Sequence, residues 1–265
     1  MHKRIILSNL LKPYKVGDLI RLGSHKDGGY LLSKKSLSKS NFLISLGIAY
    51  NWDFERDFLK KNKKEKLSIV AYDNSISLDI IKKFSLKSLL FFFLKPSFKK
   101  IQHMFKYFSY ISTFDGKKAI HYPLNISRTN TKKTNTLRKI FNLTKEKTII
   151  LKIDIEGNEY LLLNDILTFL NRINVLIIEF HYIQRNKTSV FKFIKDMSKK
   201  FYISHIHVNN VSVSKDLKKP EIIEFTFEKK TMFSNKINYS NENYPLKNLD
   251  YPSSRRAEDY KIIFK

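Results

Sequence analysis

The sequence predicts an α/β protein whose parallel sheet is covered by helices on both faces. Apolar runs with the length and β-branched content of buried strands occupy 41–47, 67–73, 148–154 and 175–181. Amphipathic patterns typical of helices separate or follow these runs, at 52–62, 134–143, 158–170 and 189–201. Two more strand-like runs, 202–208 and 222–228, end the pattern and predict an antiparallel hairpin at the sheet's edge.

The length of 265 residues favours a single domain spanning 1–265. An N-terminal element of about 1–40 precedes the first core strand, and the polar, Asn-rich tail from about 231 to 265 is expected to be loop-like. The segment at about 86–113 alternates aromatic and aliphatic residues with lysines. It is either an inserted helical pair that packs on the body or a basic amphipathic element that rests on a bilayer.

The charge balance is strongly basic, with 50 Lys and Arg against 24 Asp and Glu. Composition drift toward lysine explains most of this excess, and an anionic partner is the alternative, with lipid headgroups ahead of nucleic acid. Without cysteine, the chain has no disulfides, thiolate metal sites or cysteine nucleophiles. No apolar run reaches the ~20 residues of a membrane span. We therefore expect a cytoplasmic protein, with peripheral contact to the inner leaflet as an option.

Functional residues are expected where the parallel strands end, because ligands bind outside those carboxyl ends. Gly47 ends the first core strand and leads into a helix, so free backbone N–H groups and an open approach are predicted there. The full G-x-G-x-x-G pattern is missing, which disfavours NAD. Asp73 follows 26 residues later and is either an acceptor for ribose hydroxyls or a helix N-cap.

Several motifs in this order carry a resemblance: RLGSHKDGGY, FLISLG, AYD, LKIDIEGNEY, IIEFH and HIHVNN. Over about 21–210 the chain resembles the FkbM-type family of S-adenosylmethionine-dependent methyltransferases. The resemblance implies a class I methyltransferase (Rossmann-like) fold, with a seven-stranded sheet ending in an antiparallel hairpin. It also implies methyl transfer to a hydroxyl, often on a sugar of a surface glycan or a natural product. The chain departs from the pattern in its reduced glycine loop and in the 86–113 insertion.

The cofactor implied by this resemblance is S-adenosyl-L-methionine, placed on Gly47 and Asp73. The DGGY segment is either a turn between two short strands or a cover over the methionine end of the cofactor. The predicted cofactor contacts are Ser45, Gly47, Glu55, Asp73, Asn74, Asp27 and Tyr30.

Catalytic groups are predicted at the end of the strand at 148–154, where Asp154 ends the strand and Glu156 follows on a tight turn made possible by Gly157. Both carboxylates are interpreted as base, substrate-orienting or metal groups, and His181 as a base or a structural residue. A divalent Mg or Mn ion is an option that the spacing does not favour. We assign His205 and His207 to opposite faces of their strand, and predict substrate contacts from His207 and Asn209.

The sequence thus predicts an O-methyltransferase acting on a saccharide or glycan precursor. A basic membrane-surface or nucleic-acid-binding protein that keeps the fold without transfer is the alternative, and nucleic acid is the less expected partner because no stacking motif or RNA domain is evident.

Overall fold

The computed structural model describes residues 4–62, 64–94, 97–211 and 219–265. Its strands β1 to β13 are, in chain order, Arg4–Leu7, Leu19–Gly23, Gly29–Ser33, Phe42–Leu46, Ser68–Tyr72, Ala119–Tyr122, Asn125–Ile126, Thr134–Asn135, Ile149–Ile153, Ile173–Phe180, Phe201–Val208, Ile223–Lys229 and Lys261–Phe264. Its helices α1 to α7 are Lys34–Lys39, Asp53–Lys61, Leu78–Leu94, Phe98–Thr113, Leu137–Leu143, Leu163–Thr168 and Lys187–Met197.

Seven of the strands form the central sheet in the order β11-β12-β10-β9-β4-β5-β6. Strands β6, β5, β4, β9 and β10 are parallel to one another, whereas β12 is antiparallel to both β10 and β11. The predicted parallel sheet with an antiparallel ending is therefore confirmed. The strand order reverses between β4 and β9, because the chain runs outward from β4 through β5 and outward from β9 through β10.

Alternation along the strands fills two separate cores, one on each face of the sheet. On one face, Ile44 and Leu151 pack with residues of α5, α6 and α7. On the other, Leu43 and Ile150 pack with Phe54 and residues of the β2–β3 pair. Because both faces are covered by apolar groups, the strands read as continuous hydrophobic runs instead of alternating ones.

The N-terminal element contains the antiparallel pair β2–β3, with Gly23 opposite Gly29. Arg21 fixes the connecting loop by donating from Nε to Ser24 O at 2.7 Å and from Nη2 to Lys26 O at 3.0 Å. The interpretation of DGGY as a turn between short strands is confirmed.

The predicted insertion corresponds to α3 and α4, which pack against each other and begin at Leu78, eight residues before the predicted start. Residues 95 and 96 of the predicted insertion lie outside the described residues. No helix within the described residues has both the length and the apolar character to cross a membrane. In the tail, β13 pairs in parallel with β1, so this segment is less loop-like than predicted.

Candidate active site

A cavity of about 710 Å³ opens at the carboxyl edge of the sheet, where the strand order reverses. Parallel α/β sheets bind ligands at this position, and the volume lies within the range of about 300–1,000 Å³ typical of small-molecule sites. Six predicted site residues line it: Asp27, Gly47, Asp73, Asn74, Asp154 and Glu156. Tyr30, predicted as a cofactor contact, is buried and does not line the cavity.

Gly47 is required by the backbone at the end of β4. Its φ is +82°, and a Cβ there would lie 1.7 Å from the carbonyl oxygen of Asp154. The Gly47 N–H donates to Tyr72 O, and the Asp154 N–H donates to Leu46 O, both at 2.9 Å. The glycine therefore lets the loops after β4 and β9 meet at the cavity floor.

Asp73 fixes the loop that follows Gly47. One carboxylate oxygen accepts from the N–H groups of Ile48 and Ala49, at 2.8 and 2.7 Å, and the other accepts from the Ser75 N–H and hydroxyl, at 2.7 and 2.6 Å. Burial opposes ionisation, but these hydrogen bonds outweigh it and lower the pKa of Asp73. Asp73 is not the N-cap of α3, because that helix begins five residues later, at Leu78.

Ser45 and Glu55 are fully buried behind the cavity wall and do not line it. The Ser45 hydroxyl donates to Glu55 at 2.5 Å, and Lys152 Nζ lies 3.5 Å from the same carboxylate. Lys152 also donates to Gly47 O at 2.6 Å. Ser45 and Glu55 therefore act on the cavity indirectly. They hold Lys152, and Lys152 holds the backbone carbonyl of Gly47. Lys152 was not assigned a role from the sequence, although a lysine inside an apolar strand was a signal.

The three predicted catalytic residues lie together. One ligand-type atom from each of Asp154, Glu156 and His181 lies within 4.8 Å of the other two. His181 Nε2 is 4.0 Å from Asp154 Oδ1, 3.5 Å from Glu156 Oε2 and 3.8 Å from Glu179 Oε1. An imidazole and three carboxylates therefore face one another beside the cavity.

Glu159 orients this cluster and was not assigned a role from the sequence. Its buried carboxylate accepts from the Gly157 N–H at 3.1 Å and the Ile155 N–H at 3.3 Å. The same oxygen lies 2.9 Å from His181 Nδ1. Because an ionised carboxylate only accepts, Nδ1 is the donor and Nε2 points toward the cavity side. The turn places Glu156 at φ +55°, with its side chain 85% exposed.

Tyr30 lies under the cluster and links two of its acids. The buried hydroxyl donates to Asp154 Oδ2 at 2.9 Å and lies 3.4 Å from Glu179 Oε2. Burial raises the pKa of Asp154, although Lys152 and His181 oppose this, and burial together with Asp154 raises the pKa of Glu179 well above its usual value. Tyr30 therefore contacts the predicted catalytic group directly.

Asp27 lies at the cavity rim, with a carboxylate oxygen within 4.8 Å of oxygens of Glu179 and Glu224. Loss of hydration and repulsion from Asp154 raise the pKa of Asp27 to about 6. Glu224 was missed because it belongs to β12, which comes late in the chain and reaches this edge only by antiparallel pairing.

The predicted substrate residues on β11 differ in their placement. Asn209 donates to Glu179 Oε1 at 3.0 Å and so contacts the acidic cluster. His207 is buried between Glu224 and Asp259 and does not line the cavity. The assignment of His205 and His207 to opposite faces was wrong, because residues two apart in a strand share a face. Both contact tail carboxylates, Asp250 and Asp259 respectively.

The strand order, with an antiparallel β12 between β10 and β11 and a cavity at the β4–β9 junction, defines a class I methyltransferase. Residues 54–204 match the family described as the Methyltransferase FkbM domain. The match covers more than half of the chain, and the chain belongs to this family.

Solved structures give more distant likenesses. An rRNA methylase from Streptococcus thermophilus is 11% identical over 74% of this chain and 91% of its own, with a TM-score of 0.40. The 23S rRNA methyltransferase ErmE is 9% identical over 78% of this chain and 72% of its own, with a TM-score of 0.37. No curated protein matches the chain.

Proposed function

We propose that the protein is an S-adenosylmethionine-dependent O-methyltransferase acting on a hydroxyl of a saccharide or glycan precursor. The carrying observation is the composition of the cavity wall. Gly47, Asp73 and Asn74 lie along the β4–β5 side, and Asp154 and Glu156 lie along the β9 side. If the nucleoside part of S-adenosylmethionine bound to the first group of residues, its sulfonium methyl would lie near the second group.

The cavity suits the cofactor in size and in donor set. Gly47 leaves the floor free of a side chain, and the ionised Asp73 is an acceptor for ribose hydroxyls. The Asp73 carboxylate already accepts four hydrogen bonds within the protein. A ribose hydroxyl would therefore replace one of them, the bond from the exposed Ser75 hydroxyl. Asn74 borders the same side, while Asp27 lies at the rim, where it can accept from the amino group of the methionine portion.

The transfer step requires an acceptor oxygen aligned with the sulfonium methyl. When bound, S-adenosylmethionine would supply the methyl group: the acceptor oxygen would take the methyl carbon, the carbon–sulfur bond would break with its electron pair left on sulfur, and a carboxylate of the cluster would receive the hydroxyl proton. Asp154 is the best placed of these acids, because its raised pKa makes it a stronger base than an ordinary aspartate. Tyr30 holds Asp154 in position, and Asn209 is within reach of the same cluster through Glu179.

A saccharide acceptor is favoured by the sign of the charge around the site. Asp27, Asp154 and Glu156 line the cavity and Glu179 lies directly behind them. Carboxylates accept hydrogen bonds from sugar hydroxyls, whereas they repel the phosphates of RNA. RNA is the rival acceptor because the chain carries a net charge of +26.

Calorimetry with S-adenosylmethionine tests the proposal. We expect micromolar affinity for the parent protein and a loss of about tenfold or more in Asp73→Asn, because a hydrogen bond to a charged group contributes about 1.5–3 kcal/mol. Ser75→Ala is the matched control, since it removes a competing donor and should bind at least as tightly. Absence of heat with a folded parent protein would contradict the proposal and favour the binding-protein alternative.

Transfer of labelled methyl from the cofactor identifies the acceptor class. A mixture of sugar nucleotides and lipid-linked saccharides should become labelled at oxygen, while total RNA should not. Labelled RNA in the same assay would contradict the saccharide assignment and leave methyl transfer intact.

We also propose that the α3–α4 pair rests on the anionic cytoplasmic face of a membrane. Large apolar side chains are exposed along both helices, namely Leu78, Ile80, Phe84, Leu86, Leu90, Phe105, Phe108 and Ile111. The exposed Lys82, Lys83 and Lys87 lie in α3. Exposed apolar groups with lysines beside them are typical of helices that lie in the headgroup region.

A further inference from the structure

The His181 imidazole is held with one nitrogen directed at an acidic cluster. Its side chain is 5% exposed, and Nδ1 donates to the buried Glu159 carboxylate at 2.9 Å. Within the described residues, no hydrogen bond reaches Nε2. With Nδ1 donating, Nε2 either carries a second proton or presents a lone pair to a bound ion.

The groups facing Nε2 are all carboxylate oxygens, from Asp154, Glu156 and Glu179 at 3.5–4.0 Å. Carboxylate oxygens at these distances repel one another unless a positive charge lies among them, and either a proton on Nε2 or a bound cation supplies that charge. The nearby Lys152 is engaged with Glu55 and Gly47 O. The arrangement therefore has the donor atoms of a cation site.

We propose that Asp154, Glu156 and His181 bind one divalent cation, Mg²⁺ or Mn²⁺, at the carboxyl end of β9 and β10. The inference rests on the proposed function in one respect: the cation would bind neighbouring oxygens of the saccharide acceptor. Two carboxylates and one imidazole suit Mn²⁺ and Mg²⁺, and they leave about three of six positions for acceptor oxygens and water.

The separations are compatible with closure on an ion. The three ligand atoms lie within 4.8 Å of one another. Ligand bonds of about 2.1 Å bring such atoms to roughly 3–4 Å apart. Glu156 can supply this movement because its side chain is exposed, whereas His181 and Asp154 are held by Glu159 and Tyr30.

Residues behind the three ligands complete a metal-site arrangement. Metal-binding histidines usually donate their second nitrogen to a carboxylate, as His181 does to Glu159. Ligating carboxylates are likewise held by hydrogen bonds, as Asp154 is by Tyr30 at 2.9 Å. A bound cation would lower the pKa of an acceptor hydroxyl, so that with the ion present Asp154 would act as a ligand instead of as the base and the proton could leave to water.

Electron paramagnetic resonance of Mn²⁺ added to the full-length protein without cofactor or acceptor tests this site. We expect one saturable Mn²⁺ that added Mg²⁺ displaces, and at least tenfold weaker binding in Glu156→Gln. The exposed Glu65→Gln is the matched control and should bind like the parent protein. Both variants change exposed side chains, so both should fold.

The outcomes separate this inference from the proposed function. No saturable Mn²⁺ binding, or equal binding by Glu156→Gln and the parent protein, would overturn the cation site. Methyl transfer at full rate in excess chelator would also overturn it while leaving the methyltransferase assignment intact. Saturable Mn²⁺ binding without binding of S-adenosylmethionine would support the cation site and contradict the proposed function.

Discussion

Gly47 is the position in the cavity where a single added methyl group has the largest predicted effect. In Gly47→Ala the new Cβ meets the carbonyl oxygen of Asp154 at 1.7 Å, in addition to the strain of φ +82°. Since the contact is with backbone, the loops after β4 and β9 must separate, and we expect a loss of about 3 kcal/mol or more in the free energy of unfolding. Urea denaturation measures it.

Gly116→Ala is the control for that prediction. Gly116 has a similar φ of +74°, but a Cβ there has no described atom within 4 Å. Its substitution should cost only the left-handed backbone strain, about 1–2 kcal/mol. Equal losses in the two variants would show that the contact with Asp154 contributes nothing.

The site residues that directly follow parallel core strands could be predicted from the sequence. Those contributed by the antiparallel strand could not. Gly47, Asp73, Asp154 and His181 follow core strands directly, so the rule for parallel sheets places them correctly. Glu224 comes from an antiparallel strand. Its position depends on pairing partners that a local pattern does not specify.

At the scale of elements, the predicted helix at 158–170 is replaced by three short pieces. A 3-10 turn at Glu159–Leu161, helix α6 and a second 3-10 turn at Leu170–Arg172 occupy this range. The apolar periodicity was read correctly, but Glu159 is turned inward to accept from two backbone N–H groups and His181. The side chain's role in the site thus competes with regular helix geometry.

Strand β6 was likewise not predicted from the sequence. It has four residues, Ala119–Tyr122, and lies at the sheet edge, with Ala119 buried, the next two residues half-buried and Tyr122 exposed. Short edge strands lack the continuous apolar run that identified the inner ones.

The α3–α4 surface carries a prediction about membranes. Phe84→Ser combined with Phe105→Ser removes two side chains that are 52% and 66% exposed. We expect the free energy of unfolding to change by less than about 0.5 kcal/mol per site, since little packing is lost. Binding to vesicles containing phosphatidylglycerol should fall at least fivefold in co-sedimentation, because those rings insert among headgroups.

Leu143→Ser is the matched control, since Leu143 is 71% exposed but belongs to α5. It should bind the same vesicles as strongly as the parent protein. Equal binding by the double variant and the parent, or binding of the parent to neutral phosphatidylcholine alone, would argue against this surface.

At the scale of the whole molecule, a strongly basic chain contains a site that is locally acidic. Of 24 Asp and Glu, three line the cavity, namely Asp27, Asp154 and Glu156, and the buried Glu179 and Glu224 lie close to them. The net charge of +26 follows from the sequence, but it is a sum over the whole chain and does not give the charge near the cavity. Only the fold brings together acids from four separate segments, so the sign of the local field required the structure.

The C-terminal tail contacts strands β1 and β11. Strand β13 pairs with β1, Asp250 contacts His205 at 3.0 Å, and Asp259 contacts His207 at 2.9 Å. The tail was expected to be loop-like because its polar composition shows no periodicity. These two hydrogen-bonded contacts, which attach the tail to the sheet, join residues more than 40 positions apart in the chain.

This attachment predicts a pH dependence of stability. Burial alone would lower the pKa of His207, but Glu224 and Asp259 raise it well above its usual value, with a further contribution from Asp250. A raised folded-state pKa means that the folded protein holds the proton more tightly than the unfolded chain. The stabilisation is therefore complete below the ordinary pKa of about 6.5 and is lost as pH rises toward the folded value.

Urea unfolding between pH 6 and 9 measures this loss. We expect a negative slope from His207 approaching about 1.4 kcal/mol per pH unit, and a shallower slope that ends at lower pH in Asp259→Asn. The exposed Asp18→Asn should keep the parent's slope. Asp250 acts in a separate window, because its pKa is lowered and its stabilisation is lost as pH falls through that lowered value. If the parent and Asp259→Asn were to decline in parallel above pH 6.5, His207 would not be the proton-binding link between tail and sheet.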